Sequence, residues 1–222
     1  MLRNVRMEDI SDGKLYTAND MVKADTNHCQ GCSVCCHGMG TSIVLDPLDI
    51  HSLTSYLGKS MEELLSCALE LNVVDGIILP NLSMKGQEEA CSFLNSEGRC
   101  SIHEARPGIC RLFPLGRFYD NNTFQYFLQV QECEKNRTKV KVKKWLDIPN
   151  LKAYEEYIST WHYFQKDLQQ RLQEKNQEEF TKQVNMYVLQ KFYLQPFSQD
   201  ADFYTEFYQR IRKAKEELLC NI

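Results

Sequence analysis

The chain has 222 residues, a formal net charge of -4, and 43% hydrophobic and 25% charged residues. That length suits one domain, alone or with an appendage, and that composition suits a chain folded around a core. The mild negative charge argues against nucleic acid as the main partner, and no apolar run approaches the roughly 18 residues of a membrane span.

The N-terminal stretch MLRNVRMEDISDGKLY lacks the apolar segment of a secretory signal. The expectation is a cytoplasmic protein with no membrane partner. Thiols stay reduced there, so clustered cysteines point to metal binding or catalysis before disulfides.

Residues 1–27 are polar and mixed and read as an irregular lead-in. TSIVL (41–45) reads as a short strand. Asp46 and Pro47 then open a helix, with Asp as cap and Pro in the first turn, that stops at Gly58. SMEELLSCALEL (60–71) reads as a second helix, with Ser60 and Glu63 spaced as a capping box. VVDGIILP (73–80) reads as a strand, and residues 91–114 as ordered loop with a short helix. GRFYD and TFQYFLQVQE read as two strands across an Asn121–Asn122 turn. KVKVKK (139–144) alternates like an edge strand. From Asn150, apolar residues recur at 151, 154, 157, 158, 161, 164, 168 and 172, which is a helical face. Further helical patterns run over about 178–194 and 200–219.

These elements predict an α+β fold. An irregular cysteine-rich metal-binding core with short strands (1–145) is followed by a helical C-terminal segment (146–222) packed on it.

Ten cysteines carry the chemistry. Cys67, inside a predicted helix, reads as a small buried hydrophobe, and Cys220 lies at the tail. The other eight form two groups. HCQGCSVCCHGMG (28–40) holds Cys29, Cys32, Cys35 and Cys36, and the second group is Cys91, Cys100, Cys110 and Cys133. The Cys-x2-Cys-x2-Cys spacing wraps a short loop around a metal centre and matches the opening of a bacterial ferredoxin run. Cys36 breaks that run. Adjacent side chains seldom reach one metal without strain, so Cys36 points to a second metal or a different partner. A further ligand must then come from the second group. Structural zinc prefers two separate Cys-x2-Cys knuckles. The first segment has overlapping ones and the second has none, so spacing favours iron–sulfur over zinc, with a four-iron cluster as the expected kind. His28, His37 and His103 are alternative ligands or packed rings.

Arg106 and Arg111 flank the step into Cys110. Guanidinium groups there would offset the negative charge of a thiolate centre and donate to sulfur, or bind an anionic substrate group. Arg117 reads equally well as a surface ion pair. The basic residues of KNRTKVKVKK read as protection of a strand edge. The aromatic faces around Tyr154, Tyr157, Trp161 and Phe164 read as core or as an interface for a protein partner.

The cysteine run together with CSFL…GRCSIHEARPGICRLFP resembles the YkgJ-like CxxCxxCC cysteine-cluster family over about residues 28–115. The resemblance implies a zinc- or iron-chelating centre on Cys29, Cys32, Cys35, Cys36, Cys91, Cys100 and Cys110. One relative in that family, the flagellin lysine methylase, implies an iron–sulfur cluster and methyl transfer. That relative is much longer, and this chain matches only its cysteine core. The expected functions are an iron–sulfur-dependent oxidoreductase or methyltransferase, a zinc-stapled interaction module, or a metal chaperone.

Overall fold

Short strands and helices alternate through the first two thirds of the chain, and long helices follow. The computed structural model describes residues 6–25, 32–130, 133 and 138–219. His28, Cys29 and Cys220 lie outside them. In chain order, α1 (Met7–Ile10), β1 (Ser11–Tyr16) and β2 (Met21–Asp25) precede a 3-10 turn at Val34–Cys36. Then come α2 (Pro47–Leu57), α3 (Met61–Cys67), β3 (Leu69–Val74), β4 (Ile77–Leu82), β5 (Met84–Lys85) and β6 (Ala90–Cys91). Next are α4 (Gly108–Leu112), β7 (Leu115–Asp120), β8 (Thr123–Gln129), β9 (Thr138–Lys141) and α5 (Val142–Leu146). The last elements are α6 (Leu151–Lys175), α7 (Glu178–Leu189), a π-helical turn at Gln190–Leu194, and α8 (Phe203–Leu218). The architecture is α+β, as the sequence predicts.

The pairings are antiparallel: β1–β8–β7, β2–β9, β3–β4 and β5–β6. Residues 43–45 lie along β4, with Leu45 N–H bonded to Pro80 O at 2.8 Å and Leu82 N–H to Ile43 O at 3.0 Å. The expected strand at 41–45 is therefore a short bridge on that sheet.

The predicted Ser60–Glu63 capping box forms, and the predicted Asp46 cap is itself half of a second one with Asp49. Asp46 accepts from Asp49 N while Asp49 accepts from Asp46 N, and Ser60 and Glu63 do the same for α3. The second helix stops earlier than its apolar pattern suggests, at Cys67, and residues 69–74 become strand β3. The cause is the turn that follows. Asp75 and Gly76 both take positive φ, 51° and 87°, as a two-residue hairpin turn requires. The predicted strand at 73–80 thus breaks at its centre, and its halves pair with each other, Val74 opposite Ile77. Asn121 and Asn122 (φ 47° and 59°) make the other expected hairpin turn. Strands β1 and β2 occupy the predicted irregular lead-in, and KVKVKK turns from β9 into α5 after Lys141. Cys67 is exposed rather than buried. As the last residue of α3 it faces outward, and the buried position passes to Ala68.

The main core joins both halves of the chain. Leu45, Ile50, Leu53, Leu64, Ile77 and Ile102 pack in one cluster with Tyr157, Trp161, Phe164, Phe192 and Phe207. Each such side chain contributes about 1.5–3 kcal/mol when fully buried. A smaller cluster holds Val22, Leu112, Leu115, Tyr126, Leu128, Val142 and Leu146, and Phe124, Ile148 and Leu151 pack against both. Tyr157 meets Phe207 edge-on at 4.5 Å. The aromatic face of α6 is therefore core. No helix among the described residues is long and apolar enough to cross a membrane.

Asn185 of α7 fastens the β3–β4 hairpin to the helices. Its buried side chain accepts from Ile78 N at 2.6 Å and donates to Gly76 O at 3.2 Å. Asn185→Ala leaves both backbone groups unpaired and should destabilise the protein by about 1–3 kcal/mol in urea unfolding. An unchanged midpoint would show that the hairpin is held by packing alone.

Candidate metal centre

Three segments bring the cysteines together, and each is placed by backbone pairing. The first is the 3-10 turn, closed by Cys36 N–H to Ser33 O at 2.8 Å. His37 then bridges to Ala90, and Gly38 N–H bonds Glu89 O at 3.0 Å. Cys36 is thus laid beside β6, which ends at Cys91. The second segment is the loop from Cys91 to Cys100. Asn95 accepts from Glu97 N and Arg99 N and folds the loop back on itself. Leu94 bridges to Cys100, and Ser101 N–H bonds Phe93 O at 2.8 Å. The third is α4, which carries Cys110. Phe93, Ile102 and Ala105 anchor the loop between them in the main core.

Five thiols are linked by this arrangement. Cys36 interacts electrostatically with Cys91, Cys100 and Cys110. Cys91 interacts with Cys100 and Cys35, and Cys110 with Cys91 and Cys35. Cys35 donates a hydrogen bond to the Cys36 sulfur, which holds the Cys35 proton and lowers Cys36. Burial raises Cys91 and pushes Cys110 up to about 12. Arg106 pulls the other way on Cys35 and Cys110.

The remaining predicted residues are not among these five linked thiols. Cys32, half-buried, begins the described part of the first segment. Cys133, also half-buried, follows β8 at the end where Gln129 N–H bonds Pro114 O, two residues beyond α4. His37 has Nδ1 at 2.9 Å from Ser33 O, and His103 is exposed. Arg111 does not face the thiols as a free charge. Its guanidinium bonds the backbone carbonyls of Arg106 (3.0 Å), Glu104 (2.7 Å) and Asp147 (3.3 Å).

Sequence reading missed the polar knot behind the nest. Helix α4 has Pro107 at its N-cap, which offers no side-chain acceptor. Asp49, from α2, accepts from Gly108 N at 2.8 Å and caps α4 from outside. Its other oxygen accepts from Asp46 N at 3.1 Å. Asp46 accepts from Tyr157 Oη at 2.9 Å, and Tyr157 Oη accepts from Leu48 N at 3.0 Å. Burial raises both carboxyls, and their mutual repulsion raises Asp49 further. Arg117 opposes this. It is not a surface ion pair: it donates to Tyr154 Oη at 2.9 Å and lies over the Phe124 and Tyr154 rings. The one available signal was Asp at the third position of a helix already capped by Asp, a pairing that reads as capping alone.

Among the described residues, no group of three or more Cys, His, Asp or Glu side chains is placed to hold a metal ion. The donor chemistry nevertheless fits one kind of occupant. The nest is all thiol, and soft sulfur donors select zinc or iron–sulfur over magnesium or calcium.

Gly108 is required at the knot, because a Cβ there would lie 2.1 Å from Tyr154 Oη. Gly108→Ala should displace α4, lower the thermal midpoint and reduce metal loading together. Full loading in a stable Gly108→Ala variant would refute this placement of Cys110.

No curated protein and no solved structure matches the chain. Residues 28–134 match the CxxCxxCC family, described as "Putative zinc- or iron-chelating domain". They span the first cysteine run, the 91–110 group and Cys133. The thiol nest is the part of the fold that this description addresses, and residues 28–134 are the part of the chain that the CxxCxxCC domain covers.

Proposed function

We propose that the thiol nest holds an iron–sulfur centre, four-iron in kind, that serves redox or group-transfer chemistry. The observation that carries this reading is that Cys35, Cys36, Cys91, Cys100 and Cys110, brought by three segments, lie near enough to act electrostatically on one another. Five thiols exceed the four donors of a tetrahedral zinc and of a four-iron cluster alike, so the spacing of the first run carries the preference for iron–sulfur. Cys29 and Cys32 precede them in the ferredoxin-like spacing, and Cys133 is an eighth thiol within residues 28–134. When bound, such a centre supplies one-electron transfer or an iron site for group transfer, methyl transfer included.

The chain's own residues prepare the site. The 3-10 turn and the Asn95-closed loop hold thiols on irregular backbone, where successive sulfurs can turn to one point. Phe93, Ile102 and Ala105 exclude water behind it. Asp49 holds the N-terminal turn of α4 and with it Cys110.

Zinc is the second reading, favoured by one observation. The stretch from Ser92 to Pro107 has no helix or strand, so a metal joining Cys91, Cys100 and the first segment would staple it.

Metal and acid-labile sulfide content of anaerobically purified protein decides between them. The proposal predicts iron with matching sulfide and visible absorption, lost in Cys32→Ala and retained in Cys67→Ala. Zinc without sulfide would replace iron–sulfur with the staple, and equal metal in both variants would overturn the ligand assignment.

A further inference from the structure

Strand β8 extends beyond the strand that covers one of its edges. The β7–β8 hairpin closes with Asp120 opposite Thr123, and further along Gln129 N–H bonds Pro114 O at 3.0 Å. The odd-numbered residues of β8 therefore bond towards β7. Antiparallel alternation turns the N–H and C=O of Phe124 and Tyr126 to the opposite edge. Tyr126 has a neighbour there, because Tyr16 of β1 stands opposite it. Among the described residues the backbone of Phe124 has none. The chain leaves β8 after Tyr16 and turns at Thr17–Asp20, where Asp20 N–H bonds Thr17 O at 3.1 Å. Ala18 O then accepts from Lys143 N at 2.9 Å, which draws the turn towards α5 and away from β8.

A groove of about 580 Å³ occupies that place, lined by the turn, the start of β8 and one face of α6. Lys152, Glu155, Glu156 and Ser159 share this helical face. Glu155 Oε1 accepts from Tyr126 Oη at 2.8 Å, and its other oxygen takes no hydrogen bond among the described residues. Lys152 is the one cation of the lining, and among the described residues it is ion-paired with neither carboxylate. The wall is therefore acidic on balance. Ser159 is 8% exposed, and its hydroxyl makes no hydrogen bond among the described residues. A buried hydroxyl without a partner is costly, and this one lines the groove.

We propose that this groove binds a short extended segment of a partner protein, laid beside β8 where β1 ends, with a basic side chain directed at α6. The segment continues the sheet by pairing with the open backbone of Phe124. The bond from Tyr126 to Glu155 shows that this face of β8 looks onto α6. A residue hydrogen-bonded to Phe124 sends its side chain to the same face. A lysine or arginine there meets Glu155, Glu156 and the Ser159 hydroxyl. This is strand addition, in which main-chain bonds hold the segment and alternate side chains select it. Thr123–Tyr126 span about 13 Å at the usual strand rise, so the segment is short. The proposal is independent of what the thiol nest holds.

Fluorescence polarisation of the full chain, purified anaerobically, with labelled seven-residue peptides tests this. The probe alternates threonine and lysine, and its counterpart carries glutamate in place of lysine. Two further versions of the probe carry backbone N-methyl groups, on the lysines in one and on the threonines in the other. The probe should bind saturably, and the glutamate peptide should not. Lysines that point at α6 also aim their N–H groups at β8. Methylating the lysine amides should therefore weaken binding about tenfold, and methylating the threonine amides should leave it unchanged. A Glu155→Gln/Glu156→Gln double variant should bind the probe about tenfold more weakly, at an unchanged thermal midpoint and metal content. A probe that does not saturate, a glutamate peptide that binds equally, the same affinity from both methylated versions, or wild-type binding by the double variant would each overturn the inference. Sedimentation equilibrium of the chain alone covers the other occupant. A dimer that the probe dissociates would assign the groove to a second copy and overturn the partner named here.

Discussion

One buried carboxylate joins the parts of this protein that matter for its site. Asp49 closes the first turn of α2 with one oxygen and caps α4 with the other. A carboxyl group out of water is costly unless its oxygens are hydrogen-bonded. Asp49 meets that condition only while α2 and α4 keep their relative placement. Asp46 and Tyr157 extend the same requirement to α6, because Tyr157 bonds both the Asp46 carboxylate and the Leu48 amide. The helical segment therefore does more than cover the core. It fixes the position of the short helix that bears Cys110.

The contrast between this knot and the thiol nest is physical. The knot is built on capped helices and satisfied polar groups, so its geometry is set by the polypeptide. The nest is built on a 3-10 turn, a folded-back loop and one turn of helix. Its thiols interact chiefly with one another and with Arg106. Such a site has few internal bonds to hold it and many donors of one kind. A cation that replaces the thiol protons would supply the missing connections, which couples metal binding to the order of the loop.

Much of the frame was legible in the sequence, for reasons that are local. Asp46–Pro47, the Ser60–Glu63 spacing, the Asn121–Asn122 turn and the apolar recurrence along α6 each encode their outcome within a few residues. The β3–β4 hairpin was missed because Asp75 and Gly76 sit inside a stretch, 73–80, that reads as one strand despite its two turn residues. Their positive φ turns one apparent strand into the middle of two. Cys67 was misread because its burial depended on a helix that ends at that residue. The two roles of Asp49 and the burial of Arg117 were not legible at all. Each depends on a partner from another element, Gly108 and Tyr154, which no spacing along the chain reveals. The cysteine pattern was the opposite case. Its density pointed to a candidate site directly, and the fold added the electrostatic links among five of the thiols and the three carbonyls that hold Arg111.

X-ray absorption at the iron and zinc K edges of the anaerobically purified protein tests the central claim most directly, because it reads the donor atoms themselves. A thiolate centre predicts a first shell of sulfur, at about 2.3 Å if the metal is zinc, with an iron–iron shell in addition if the centre is iron–sulfur. A first shell of nitrogen and oxygen would contradict the account, because it would place the metal away from the thiol nest.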